Sequence, residues 1–235
     1  MFFMNKMFKK LFIGILGLVS ACSISAFANE ANSGLIVGVG LDRTRVVFKD
    51  GEMRQNFGVV NNMPSPILVS SWITDFKGKS SDAFIVSPSI YQLRANGTGK
   101  GLIQLVDELP QDRESVFWLV VNTVSAGKQE GQQLKAAIGQ KIKVFYRPKG
   151  LIGNATSAGS KLIWNYKNNK LVASNKTALS VTVGDIYLNN KRQNLTGLIM
   201  PYSEYTWDIG FDPRGANYSI IDEFGGEKYF EMNIQ

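Results

Sequence analysis

Histidine is absent from all 235 residues of the chain. That removes Ser-His-Asp and Cys-His catalysis, together with every histidine-ligated metal site. Cysteine occurs once, at Cys22, close to the N-terminus. The rest of the chain therefore has no disulfide, no thiolate nucleophile and no cysteine-ligated metal. An enzyme would have to work with carboxylate, lysine, serine or tyrosine alone. Asp107-Glu108 is the pair a hydrolase reading would need, but adjacent residues on a strand face opposite ways and do not converge. No catalytic residue, cofactor or metal is expected. Long apolar runs are missing too. The longest, Leu11 to Val19, is too short for a comfortable membrane span, so no stable membrane insertion is expected.

What is present suits an exported globular protein. Lys6, Lys9 and Lys10 precede the Leu11–Val19 run, and Ala26-Phe27-Ala28 is a small-x-small cleavage site before Asn29. Residues 1–28 thus read as a signal peptide. A rival exists in Val19-Ser20-Ala21-Cys22, which is similar to a bacterial lipoprotein box and would make Cys22 a lipid anchor. The Ala-x-Ala site directly before the polar pair Asn29-Glu30 favours cleavage after Ala28. The net charge of +7 falls to +4 once those three lysines, with no acids, are removed. That density is far below a nucleic-acid-binding surface. An apolar content of 44% supplies enough side chains for real cores, in one or two domains.

Short apolar runs punctuated by turns fill the rest. Leu35–Val39, Arg43–Phe48, Gln55–Val60, Ile67–Phe76, Phe84–Val86, Ser89–Leu93, Gly101–Val106 and Glu114–Val121 read as strands, at a spacing typical of a β-sandwich. After Pro148, residues 149–161 read as a Gly/Ser/Asn/Ala-rich linker. Beyond it come Lys170–Ala173, Leu179–Val183, Ile186–Leu188, Leu198–Met200, Tyr205–Ile209, Tyr218–Ile221 and Lys228–Ile234, a second, smaller all-β unit. The expected organisation is residues 29–148 and 162–235 as two sandwiches.

One stretch stands out. Leu134 to Pro148 reads as a single strand of about fifteen residues, two to three times the usual length. Leu134, Ala136, Ile138, Ile142, Val144 and Tyr146 share one parity, interrupted only by Gln140, while Lys135, Lys141, Lys143 and Arg147 take the other. On pattern alone two readings stand. It is a long strand of an ordinary sandwich, or it is an exposed edge that pairs with a strand from another chain.

Several motifs in order then resemble one family. Leu41-Asp42-Arg43-Thr44-Arg45-Val46-Val47-Phe48, Pro66-Ile67-Leu68-Val69-Ser70-Ser71-Trp72, Leu109-Pro110-Gln111-Asp112-Arg113-Glu114-Ser115-Val116-Phe117, Lys141 to Pro148, Pro201-Tyr202-Ser203 and Ile221 to Gly226 resemble the periplasmic chaperones of the chaperone–usher pathway. The short Ser125–Gln133 loop resembles the short-loop subgroup. Asn175-Lys176-Thr177-Ala178 departs from the family's Asn-Pro-Thr-Pro, since both prolines are absent.

The resemblance implies an all-β fold of two immunoglobulin-like β-sandwich domains set at an angle, with a cleft between them. It implies a periplasmic chaperone that binds and stabilises pilus or fimbrial subunits and delivers them to an outer-membrane usher by donor-strand complementation. Leu134, Ala136 and Ile138 would fill the subunit's groove. Arg45 and Lys143 would hold its C-terminal carboxylate. Glu114, Arg147 and Asp222 would form an ion network linking the domains. Self-association of the free protein is one way to cover its exposed edge, and the sequence does not select it. The alternative reading is a secreted immunoglobulin-like pilus subunit or adhesin. Such subunits usually carry a disulfide, which this chain lacks beyond Cys22.

Overall fold

The computed structural model describes residues 38–125, 137–213 and 215–235. The signal-peptide reading, Leu134, Ala136 and residues 126–133 of the expected loop lie outside these residues. The regular secondary structure of the described chain is all strand apart from one short helix. The first sandwich contains β1 (Val39–Leu41), β2 (Arg45–Phe48), β3 (Arg54–Asn61), β4 (Ile67–Asp75), β5 (Phe84–Ser87), β6 (Ile90–Leu93), β7 (Gly97–Leu105), β8 (Ser115–Ser125) and β9 (Ala137–Tyr146). One sheet has the order β1-β3-β7-β5 and the other β2-β9-β8-β4-β6.

Period-two alternation explains this layer. In β4, Ile67, Val69, Ser71 and Ile73 point inward, whereas Leu68 and Trp72 point to solvent. Ile67, Val69 and Ile73 build one core with Phe48, Phe57, Val59, Ile103, Leu119, Val144 and Tyr146. Gly101 has no room for a side chain, because a Cβ there would lie 2.3 Å from the Phe57 ring. Gln140 sits on the apolar parity of β9 yet is satisfied, since its amide donates to the carbonyl of Val39 at 2.5 Å. Asn61 is fully buried and ties the turn after β3, donating to the carbonyls of Ser65 and Arg94 and accepting from the Met63 amide.

The second sandwich starts earlier than its sequence suggests. It contains α1 (Ala155–Gly159), β10 (Ile163–Lys167), β11 (Lys170–Asn175), β12 (Val181–Leu188), β13 (Lys191–Gln193), β14 (Gly197–Ile199), β15 (Ser203–Asp208), β16 (Ala216–Ile221) and β17 (Glu227–Met232). One sheet runs β10-β11-β15, the other β13-β12-β16-β17 with β14 also on β12. Residues 149–161 are therefore not simply a linker. Asn154 caps α1 with a reciprocal Ser157 bond, and Ala158 belongs to the second core around Trp164, Leu171, Ile186 and Ile220.

Three other differences have local causes. β10 and β13 were not expected, because their hairpins turn on Asn168-Asn169 and Asn189-Asn190 rather than on a glycine pair. Both residues of each pair have positive φ, which asparagine tolerates. The expected Leu179–Val183 and Ile186–Leu188 form one strand, with a bulge between Val183 and Ile186. Gly184 reads as a break in sequence, but here it marks the bulge. A Cβ on it would lie 2.6 Å from Ser219 Oγ, which accepts from the Asp185 amide. The proline-free turn after β11 is held by Asn175. Its Oδ1 accepts from the Thr177 amide and hydroxyl, and its amide donates to the carbonyls of Leu179 and Met200.

Gly101→Ala should lower stability by about 1–3 kcal/mol, the usual cost of overpacking a filled core. Urea unfolding followed by circular dichroism measures it. An unchanged midpoint would mean that Phe57 has space to retreat.

Candidate functional site

The two ends of the first sandwich's long sheet carry different chemistry. At one end β2 lies parallel to β9, with Arg45 in register with Lys143 and Phe48 with Tyr146. Lys143 is in turn opposite Trp118 of β8. One cross-strand row therefore carries Arg45, Lys143 and Trp118. At the other end the pairing with β2 has stopped. Residues 137–142 of β9 have β8 on one side and no ladder on the other among the described residues. That stretch presents unpaired backbone and the side chain of Ile138, which is 41% exposed.

The strand thus divides. Ile142, Val144 and Tyr146 continue its apolar parity into the protein's own core. Ile138, on the same parity, does not join it. Phe145, on the cationic parity, is buried with Val116 of β8 and Leu198 of β14, a small apolar cluster joining the two sandwiches.

Arg45 is partly buried and only partly satisfied. One terminal nitrogen donates to the Ile221 carbonyl at 3.3 Å, while the buried Nε has no partner among the described residues. Burial works against its charge and pushes its pKa down, with the nearby Asp222 and Glu223 carboxylates opposing the shift. Arginine does not lose its proton in proteins, so the cost is carried as an unfilled demand for an anion. Lys143 has no ion pair or hydrogen bond among the described residues. Burial, and then the Arg45 charge, push its ammonium below the ordinary lysine range. Two under-satisfied cations side by side can receive a carboxylate. An open crevice next to Arg45 is lined by Thr44, Lys49 and Glu223.

Behind this pair lies a buried ion network. Arg147, immediately after β9, donates through Nε and Nη2 to Glu114 Oε1 at 3.3 and 3.0 Å. Its Nη2 also reaches Glu223 Oε1 at 2.9 Å, and Nη1 donates to the Gly153 carbonyl at 3.1 Å. Glu114 does more. Its backbone N–H donates to the Ala178 carbonyl at 2.8 Å, and its Oε2 accepts from the Ser180 amide at 2.9 Å. Burial pushes the Glu114 carboxyl upward, opposed by Arg147 and then by Ser180.

One member of the expected network is corrected. The second carboxylate on Arg147 is Glu223, not Asp222. Asp222 turns into its own loop, where Oδ1 accepts from the amides of Phe224 and Gly226. That is ordinary Asx-turn chemistry at the start of a glycine turn. Two adjacent acids gave no period to tell them apart, and only the turn geometry decides which one faces the other sandwich. Trp118 joins the site only through the β8–β9 register, which sets it opposite Lys143.

Two sandwiches, joined by a buried guanidinium and bearing a cationic row beside an exposed strand edge, define a two-domain immunoglobulin-like scaffold. Residues 38–152 match the pili and flagellar-assembly chaperone PapD N-terminal domain. Residues 157–231 match the pili assembly chaperone PapD C-terminal domain. The chain is 30% identical to chaperone protein LpfB of Salmonella typhimurium, over 87% of this chain and 92% of that protein. It is 31% identical to chaperone protein FocC of Escherichia coli, over 80% and 86%. The solved Pseudomonas aeruginosa CupB2 chaperone superposes with a TM-score of 0.73 at 25% identity, covering 83% of this chain and 100% of that one. The chain belongs to the pilus-assembly chaperone family. The subunit or adhesin alternative is not favoured.

Arg147→Ala strands Glu114 in a buried site and should destabilise the protein by about 3–5 kcal/mol. Asp222→Asn keeps its acceptor oxygen and should cost no more than about 1 kcal/mol. Chemical denaturation of both variants tests the assignment of Glu223, and a larger loss for Asp222→Asn than for Arg147→Ala would reverse it.

Proposed function

We propose that this chaperone lends β9 to an incomplete pilus subunit as a missing strand. The single observation that carries the reading is the split of that strand. Its second half is buried in the protein's own core, while residues 137–142 keep a free backbone edge with Ile138 facing outward. A free edge is an aggregation hazard unless a partner strand uses it. Main-chain hydrogen bonds would satisfy the subunit's own open edge. Ile138, with Leu134 and Ala136 before it, would fill apolar pockets in the subunit's groove. Burying one Leu or Ile side chain contributes roughly 1.5–3 kcal/mol.

Apolar pairing alone leaves register open, because β-ladders repeat every two residues. Arg45 and Lys143 supply the stop. A C-terminal carboxylate bound across the pair receives charge-assisted hydrogen bonds at one end of the donated strand. The cationic and apolar positions of β9 have opposite parity, so the carboxylate is held on one face while the groove takes the other. The protein acts in the periplasm after removal of residues 1–28, passes its subunit to an outer-membrane usher, and covers its free edge by self-association when empty. Catalysis has no part in this work.

Arg45→Ala and Lys143→Ala should each fold and yet fail to protect subunits. Truncating one partner of a buried charged pair costs about 2–5 kcal/mol, roughly a thirtyfold to several-thousandfold loss of affinity. Subunit recovered from the periplasm, with circular dichroism of each variant, decides it. If both variants hold subunits as well as the parent does, the carboxylate anchor is wrong for this protein.

Ile138→Asp separates the groove from the fold. It should leave thermal unfolding nearly unchanged, because the side chain is exposed, and abolish subunit capture by putting a charge against an apolar pocket. An unfolded variant would assign Ile138 to the protein's own core instead.

A further inference from the structure

Among the described residues Lys143 has no acidic partner, but it has an aromatic neighbour. Its ammonium lies 5.5 Å from the centre of the Trp118 ring. Trp118 is the cross-strand partner of Lys143, and Lys143 is in register with Arg45. Phe76, just past β4, stacks on Trp118 with ring centres 5.5 Å apart and planes 15° apart. The order across the sheet is therefore aromatic, aromatic, lysine, arginine. We infer that Trp118, backed by Phe76, is a positioning residue that holds the Lys143 ammonium beside Arg45 while leaving its charge free for an anion.

The physical argument turns on what else could hold the lysine. A flexible four-carbon side chain beside a like charge is driven away from it, toward solvent. A carboxylate partner would restrain it but would also neutralise it and compete with any incoming carboxylate. The face of an indole attracts a cation through its quadrupole and carries no net charge. It restrains the ammonium without filling the anion's place. Phe76 stacks against the indole, and the offset packing of two rings limits how far Trp118 can swing. This rests on the carboxylate-anchor reading of Arg45 and Lys143. It adds the element that keeps two repelling cations together before a ligand arrives.

The test is the titration of the Lys143 ammonium, followed by NMR in the full folded protein with Lys143→Arg used to assign the signal. Trp118→Leu removes the quadrupole. It should lower the Lys143 pKa, with a two- to thirtyfold weaker hold on the charged form, the range of cation–π contacts from exposed to desolvated sites. Trp118→Phe should restore most of the parent value. If the ring merely shields the lysine from water, removing it admits solvent and the pKa rises instead. A rise, or no change, overturns the inference. Subunit recovery is the second readout. Trp118→Leu should lose subunit in the same direction as Lys143→Ala, and Trp118→Phe should keep it. Should Lys143→Ala retain subunits while the titration behaves as expected, the anchor reading fails and the positioning of Lys143 by Trp118 stands. Should Lys143→Ala lose subunits while Trp118→Leu keeps both subunit and titration, the positioning role fails and the anchor stands.

Discussion

The buried guanidinium of Arg147 is the constraint on which the arrangement depends. Its bonds reach Glu114 at the entrance to β8, Glu223 in the turn between β16 and β17, and the Gly153 carbonyl on the connection between the sandwiches. Removing any partner leaves a charge out of water, which costs more than the intact set contributes to stability. Such a network is therefore better at choosing one arrangement than at strengthening it. Glu114 extends the choice, since its backbone and carboxylate both bond the segment from Ala178 to Ser180. The same docking brings the Ile221 carbonyl to Arg45. The position of a surface-facing cation thus depends on an ion pair buried behind it.

β9 has to serve two masters, and its neighbours decide where one task ends. β2 accompanies it only from Lys143 to Tyr146, where Val144 and Tyr146 fill the core. Before that point the edge is open on one side among the described residues. Gln140 lies near the division. On a parity otherwise apolar it bonds the Val39 carbonyl of the other sheet's first strand. Its polar end is satisfied there, so the interruption in the apolar series joins the sheets and costs the core little. The cations follow the same logic. Lys143 and Arg45 share a face because parallel pairing puts them in register, and Lys143 remains under-satisfied because nothing acidic among the described residues lies within bonding distance of it.

Most of the fold was legible. Alternation in β4 and β9 and turn residues at regular spacing led to an all-β protein of two sandwiches. The errors fell where a local signal was ambiguous. Asn168-Asn169 and Asn189-Asn190 make tight turns that a search for glycine overlooks. Gly184 interrupts a strand pattern without ending the strand. Residues 155–159 have the composition of a linker, yet only glycine fits at 159, because a Cβ there would meet Ile220 at 2.4 Å. Small residues can mean looseness or close packing, and composition does not distinguish them.

The sequence by itself determined the strand parities and the place of the strand that the structure shows as β9, Ala137–Tyr146. Those are properties of neighbours along the chain, set by the two-residue repeat of an extended backbone. Only the tertiary structure decided which neighbours those residues meet. It chose Glu223 over Asp222, because a turn directs one acid inward and spends the other on backbone amides. It set Trp118 of the preceding strand β8 opposite Lys143, and brought Lys143 into register with Arg45 of the distant β2. Register between distant strands depends on the whole core closing at once, and no local pattern encodes it.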